Sequence, residues 1–267
     1  MKTGPALITE INDTLVGPGH VAFWWLGQQS FVVKTRSAII YLDPFLTPLE
    51  GRLIAPLLDP REVTNATLIT GSHDHADHID RTALPAIMAA SPGAILVVPR
   101  VARESLVATG LSSERVRSLD NSKSLMVGPT KITGIAAAHE FLDYSESTGY
   151  PYLGYVIEVD GVTIYHAGDT CIYEGLATAL KKWDMTVAFL PINGRDAKRY
   201  SSGYIGNMTY QEAVDLAGAI EPQLTVPAHF EMFSNNSEDP TLFAAYMDAK
   251  FPYLRYLICS HGESVFL

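Results

Sequence analysis

Cysteine is almost absent from this chain: Cys171 and Cys259 are too few for a disulfide framework, which sets aside the disulfide-built secreted scaffolds and suits a reducing compartment. Apolar runs of membrane-spanning length are missing as well. The opening Met1-Lys2-Thr3-Gly4-Pro5 has no signal-peptide core, because Thr9, Glu10, Asn12, Asp13 and Thr14 break the run from Ile8 to Val16. A cytoplasmic location is the expectation. Positive charge is in short supply: 19 Lys and Arg stand against 29 Asp and Glu, a formal net charge of −10, and no basic cluster spans a face. Phosphate backbones are bound through such clusters, so neither nucleic acid nor a membrane is expected as a partner. A small anionic substrate needs only two or three local cations and stays open, as does a homo-oligomer. With 47 % hydrophobic and 18 % charged residues the chain is neither disordered nor repeat-like, and 1–267 reads as a single domain.

What the chain does have is histidine in a pattern. Ser72-His73-Asp74-His75-Ala76-Asp77-His78-Ile79-Asp80 follows Ala66 to Thr70, an apolar, β-branched run that reads as a buried strand. In an extended segment His73, His75 and Asp77 project to one side. A turn into a helix starting near Asp80-Arg81-Thr82 would bring His78 back toward a second, adjacent metal. His139, Asp169 and His229 each lie where an apolar strand gives way to a loop, the position from which sheet proteins build sites. Five imidazoles and two carboxylates suffice for two metal ions, each with about three protein ligands and a water. Taken singly, each of these residues could equally be a core histidine or a turn aspartate.

Strands and helices alternate without a linker. Strands are expected over 20–26, 30–35, 38–42, 94–98, 116–119, 124–127, 131–138, 153–159, 162–166, 186–192, 224–226, 253–259 and 264–267, with Asp160-Gly161 as a hairpin turn. Helices are expected over 81–90, 101–109, 171–182, 210–220 and 242–250. The loop from Phe45 to Thr64 is either a flap over a site or a surface excursion, and the aromatic loop from Glu140 to Pro151 adjoins His139. Asp43, before Pro44, is either a turn residue or the oxygen partner of a ligand imidazole. Cys171 is a thiolate ligand or a small buried thiol.

The ordered set His73-x-His75-x-Asp77-His78, His139, Gly168-Asp169-Thr170 and His229 resembles that of the metallo-β-lactamase superfamily. The resemblance implies an α/β fold, a four-layer αβ/βα sandwich with a dinuclear site. By position, His73, His75 and His139 would hold one metal, Asp77, His78 and His229 the other, and Asp169 would bridge them. Within the superfamily the chain is similar to the branch of L-ascorbate-6-phosphate lactonase. The residues carrying this are Trp25 to Phe31, Leu42-Asp43-Pro44, Pro191 to Asp196, Asn207-Met208-Thr209 and Pro227 to Phe233. Gln28 departs from it, since relatives often carry His there, and the chain is shorter than the ascorbate-phosphate enzymes. Relatives that reduce oxygen at a di-iron site carry Glu where this chain has His75, so hydrolysis is expected.

The cofactors expected are two divalent ions, manganese or zinc: an all His/Asp ligand set suits zinc, iron or manganese, its carboxylates favour the harder ions, and the resemblance implies manganese. Asp77 and Asp169 are the expected catalytic carboxylates. Three cations in Asn193-Gly194-Arg195-Asp196-Ala197-Lys198-Arg199 stand out in an acidic chain. Asn193, Arg195, Lys198 and Arg199 are therefore candidates for gripping an anionic group, the alternative being surface ion pairs. The expected reaction is metal-dependent hydrolysis of a small anionic ester, foremost a phosphorylated sugar lactone. A phosphodiesterase and a non-catalytic binding protein are the competing readings.

Overall fold

Alternate residues of the same apolar run feed two different cores. In β1 (Ala22–Gly27), Phe23 and Trp25 face one core while Ala22, Trp24 and Leu26 face another. A period of two places successive side chains on opposite faces, so a strand covered on both sides is apolar at every position. The same division holds in β2 (Ser30–Lys34) and β3 (Ile39–Leu42), where Val32 and Tyr41 oppose Val33 and Ile40. A computed structural model describes residues 1–267 and extends this scheme through β4 (Leu68–Thr70), β5 (Ile95–Pro99) and β6 (Val116–Leu119). The second half supplies β7 (Ser124–Val127), β8 (Thr130–Ala136), β9 (Leu153–Val159), β10 (Val162–His166), β11 (Val187–Pro191), β12 (Leu224–Ala228) and β13 (Ser264–Phe266).

Two sheets result, ordered β13-β1-β2-β3-β4-β5-β6 and β12-β11-β10-β9-β8-β7. The core between them holds Phe23, Phe31, Tyr155 and Phe189. On the outer face of the first sheet lie α1 (Gly4–Asp13), α2 (Leu84–Ala90) and α3 (Arg100–Ala108), burying Leu7, Ile11, Ile87 and Leu106. The second sheet carries α4 (Leu176–Leu180), α6 (Tyr210–Ile220) and α7 (Pro240–Lys250), with the short α5 (Ala197–Ser201) in the loop after β11. The fold is thus the four-layer αβ/βα sandwich. No helix is long and apolar enough to cross a membrane.

Strand directions decide where a site can form. β3 runs parallel to β4, and β10 to β11 and β12, while β1 and β8 reach the same sense through two antiparallel steps each. The carboxyl ends of β1, β3, β4, β8, β10 and β12 therefore open toward one rim, the usual place for ligands in α/β sheets.

Two expected elements differ. The helix expected over 171–182 is only α4, because Gly175 is left-handed at φ 97 and Cys171 N–H donates to the Ala138 carbonyl, tying 171–175 to the site loop. The strand expected over 253–259 is an irregular segment bridging β12 at Thr225 and Tyr256. The helix α1 was not expected at all. Its apolar side chains Leu7, Ile8 and Ile11 occupy one stripe among polar neighbours.

Candidate metal centre

The histidine-rich stretch leaves β4 and turns at once. His75 N–H donates to the His73 carbonyl, and His78 and Ile79 N–H both donate to the His75 carbonyl. Simple alternation would leave Asp77 beside His73 and His75. The turn instead swings it toward His78. Nitrogens of His73, His75 and His139 form one group of donors within 4.8 Å of one another, and Asp77, His78 and His229 form a second. Asp169, delivered by the loop after β10, lies between them. Its Oδ1 is 3.4 Å from His78 Nε2, and its Oδ2 is 3.3 Å from His229 Nε2 and 3.7 Å from His139 Nε2.

Asp43 stands behind the centre. Its Oδ2 is 2.8 Å from His78 Nδ1, and its Oδ1 accepts from Ser72 N–H at 3.0 Å and the Thr70 hydroxyl at 3.2 Å. With Nδ1 held there, His78 presents Nε2 to the site. His139 Nδ1 lies 3.3 Å from the Gly206 carbonyl, and Tyr152 packs on the rings of His73 and His139. Strain gathers at this rim. Of seven non-glycine residues with positive φ, Gln28, Asp43, Glu140 and His229 belong to it or adjoin it.

The two donor groups differ electrostatically. Burial, then the neighbouring imidazoles, hold His73 well below the ordinary histidine value, and His75 and His139 are lowered chiefly by burial. Those three offer neutral lone pairs. In the second group burial alone would act the same way, but Asp169 and Asp77 outweigh it, raising His78 well above the ordinary value and His229 to about 10. Against the opposing effect of burial, the same imidazoles hold Asp77 and Asp169 below the usual carboxylate range.

The residues fit a metal centre on an observation independent of any likeness. His78 Nε2 and Asp169 Oδ1 are buried without a hydrogen-bond partner while 3.4 Å apart. Buried polar atoms left unpaired are costly. A cation bound by both satisfies both, and an all His/Asp donor set suits a divalent ion. A cavity of about 250 Å³ opens on the centre, lined by His75, Asp77, His139, Asp169 and His229, and by Gly203, Tyr204, Ile205, Phe233 and Asn236.

The cationic loop stands apart from that cavity. The Arg195 guanidinium makes two 2.6 Å bonds to the Glu212 carboxylate and a third, at 3.0 Å, to the Asn207 carbonyl. Arg199 pairs with Asp196, the Ser237 carbonyl and Glu238. Lys198 is exposed on α5. Asn193 is buried, donating to Asn236 and accepting from Asn207. Both guanidiniums thus fasten their own loop, and of the four expected anion-gripping residues only Asn193 reaches the cavity, through Asn236. Sequence reasoning passed over Tyr204, Ile205, Phe233 and Asn236 because no motif marks a wall residue. Cys171 is a buried thiol donating to the Gly206 carbonyl, outside both donor groups.

The beta-lactamase superfamily domain matches residues 39–230 of this chain. A UPF0173 metal-dependent hydrolase of Methanosarcina mazei is 26 % identical over 249 residues, covering 90 % of this chain and 96 % of that protein. Its counterpart from Thermococcus kodakarensis is 28 % identical over 229 residues, covering 82 % and 88 % respectively. Among solved structures, Igni18, a metallo hydrolase from Ignicoccus hospitalis, superposes with a TM-score of 0.70 at 23 % identity, covering 93 % of this chain and 98 % of that one.

Proposed function

The chain belongs to the beta-lactamase superfamily, and from that membership we propose that it is a metal-dependent hydrolase of small esters, lactones foremost. The observation carrying the proposal is the convergence of seven donor side chains, with His78 Nε2 and Asp169 Oδ1 left unpaired and buried beside a cavity. In this reading His73, His75 and His139 would hold one divalent ion and Asp77, His78 and His229 the other, with Asp169 placed to serve both groups. Manganese and zinc both suit such donors. Bound ions supply Lewis acidity, lowering the pKa of water and polarising the scissile carbonyl or phosphoryl group.

The chain's own residues do the remainder. Asp77, partly open to the cavity, orients the attacking water and accepts its proton. Asp169 neutralises positive charge between the two groups. Asp43 fixes the tautomer and direction of His78. Tyr204, Ile205 and Phe233 line the cavity with apolar surface and so limit the water around the reacting bond.

The phosphorylated sugar lactone keeps its lactone half in this proposal. Its phosphate half loses the support of Arg195 and Arg199, and Lys198 is left as the loop's free cation. Incubating the protein, metal-loaded and metal-stripped, with a panel of lactones and phosphodiesters tests the reading. Metal-dependent turnover of lactones is expected. Turnover of phosphodiesters alone makes the protein a phosphodiesterase, and no turnover of either class defeats the hydrolase reading.

A further inference from the structure

Gln28 belongs to no ligand motif, yet its amide lies inside the second donor group. The Nε2 position is 3.0 Å from Asp77 Oδ2 and 3.4 Å from His229 Nε2. Asp77 Oδ2 is itself 3.5 Å from His78 Nε2 and 3.6 Å from His229 Nε2. Donors roughly 2.0–2.2 Å from a shared ion lie roughly 3–4 Å from one another, and these atoms meet that spacing. Resting on the metal-centre reading above, we propose that Gln28 is a fourth protein ligand of the ion held by Asp77, His78 and His229, bound through its amide oxygen.

The chemistry of the amide supports this. Its two ends have the same shape, and their surroundings decide which is oxygen. With nitrogen turned inward, Oε1 is buried without a donor. Turned over, the amide gives its oxygen to a cation, and a neutral oxygen ligand raises the coordination number without adding charge.

The backbone supports it independently. Gln28 is left-handed at φ 52, a conformation costly for any residue but glycine, and it is held there from three sides. Its carbonyl accepts from Trp25 Nε1–H at 2.9 Å and from His229 N–H at 3.1 Å, and its own N–H donates to Glu231 Oε1 at 3.1 Å. Glu231 is anchored in turn by His261, 3.0 Å away. His229, the ligand bonded to Gln28, is also left-handed, at φ 59. Two strained residues are thus locked together, with both side chains directed at one point. A turn whose only task was to join β1 to β2 would place glycine at the left-handed position and leave no buried amide.

The test uses the full-length protein, stripped with a chelator and reloaded with cobalt(II), whose visible absorption intensifies as its coordination number falls. The parent should bind two ions. Gln28→Leu should weaken one of them at least tenfold in chelator competition, leave the other within twofold, and intensify the absorption of the weakened ion. Gln28→Glu keeps the reach and the oxygen and should bind that ion as tightly as the parent or more so. Parental affinities and spectrum in Gln28→Leu overturn the proposal. So does Gln28→Glu binding as weakly as Gln28→Leu, which would make Gln28 a hydrogen-bond donor to Asp77 and not a ligand. If Gln28→Leu does not fold, Gln28→Glu decides alone: affinity for that ion at or above the parent's supports the proposal, and a tenfold or greater loss overturns it. A parent that binds no metal would sink the metal-dependent hydrolase reading along with this one.

Discussion

Asp169 is the residue on which both donor groups depend, since its two oxygens approach His78, His229 and His139. Asp169→Ala should abolish hydrolysis and reduce occupancy of both metals. Elemental analysis beside a turnover assay checks this, and a fully active variant would remove Asp169 from the centre. Arg195 carries the opposite expectation. About a third of its side chain is exposed, so the pair with Glu212 contributes about 1 kcal/mol, and Arg195→Ala should lower Tm by roughly 2–4 °C. Losses in kcat/KM should be equal for a phosphorylated substrate and its unphosphorylated twin. A loss confined to the phosphorylated member would restore Arg195 to the substrate pocket. At this scale the donor residues were legible in the sequence because histidine and aspartate at short spacing after a strand have few other uses. The pairing of Arg195 was not legible because its partner, Glu212, lies seventeen residues on, and nothing local distinguishes a guanidinium seeking a ligand from one already paired. Gln28 was noticed only as an exception, since an amide carries no metal-ligand signature of its own.

Among the elements, strands covered on both faces were the most legible, because β1, β3, β5 and β11 read as unbroken apolar runs and β2, β4, β9, β10 and β12 as largely apolar ones. α1 was harder to see, with only three buried side chains in a polar context. The segment 253–259 has strand-like composition but contributes only isolated pairing to β12, a partnership that composition does not encode. One carboxylate near the site gathers several of the bonds that hold the loop from Phe45 to Thr64. Asp80 accepts from Leu46 N–H at 2.9 Å, Thr47 N–H at 2.7 Å, the Thr47 hydroxyl at 2.6 Å and Ala83 N–H at 2.9 Å. It thereby fastens the loop to the approach of α2. The loop is also bonded to the β12 side through Leu53 N–H and the Met232 carbonyl. Asp80→Ala leaves buried donors without an acceptor, each costing about 1–3 kcal/mol, so a total loss of at least about 3 kcal/mol is expected. Urea unfolding measures it. A change below about 1 kcal/mol would mean that water replaces the carboxylate and the loop is held by other contacts.

Taken as a whole, the molecule couples folding, protonation and metal binding at one rim. Without metal, the negative charge of Asp169 and Asp77 favours the protonated forms of His78 and His229, although His78 Nε2 makes no hydrogen bond there. A histidine whose pKa is raised by folding adds stability that is complete below its unfolded value, 6.5, and is lost as pH climbs through its folded value, about 10 for His229. Asp77 and Asp169, whose folded values are depressed, act in the opposite sense: their contribution is present above the ordinary carboxylate value and disappears in acid. The metal-stripped protein should therefore become less stable between about pH 6.5 and pH 10. Metal ions take the place of the protons on His78 and His229, so loading should release protons, and the release should be largest in the neutral range, where both imidazoles of the stripped protein are charged. In the loaded protein stability should rise, not fall, over the lower part of that window, because deprotonated ligands bind the ions more tightly. Thermal unfolding across this pH range, with and without chelator, checks the slopes, and calorimetric titration with metal in buffers of different ionisation enthalpy counts the protons. Parallel pH profiles for the two forms, together with no proton release, would show that the second donor group is an ion-paired strut and that metal binds elsewhere or not at all.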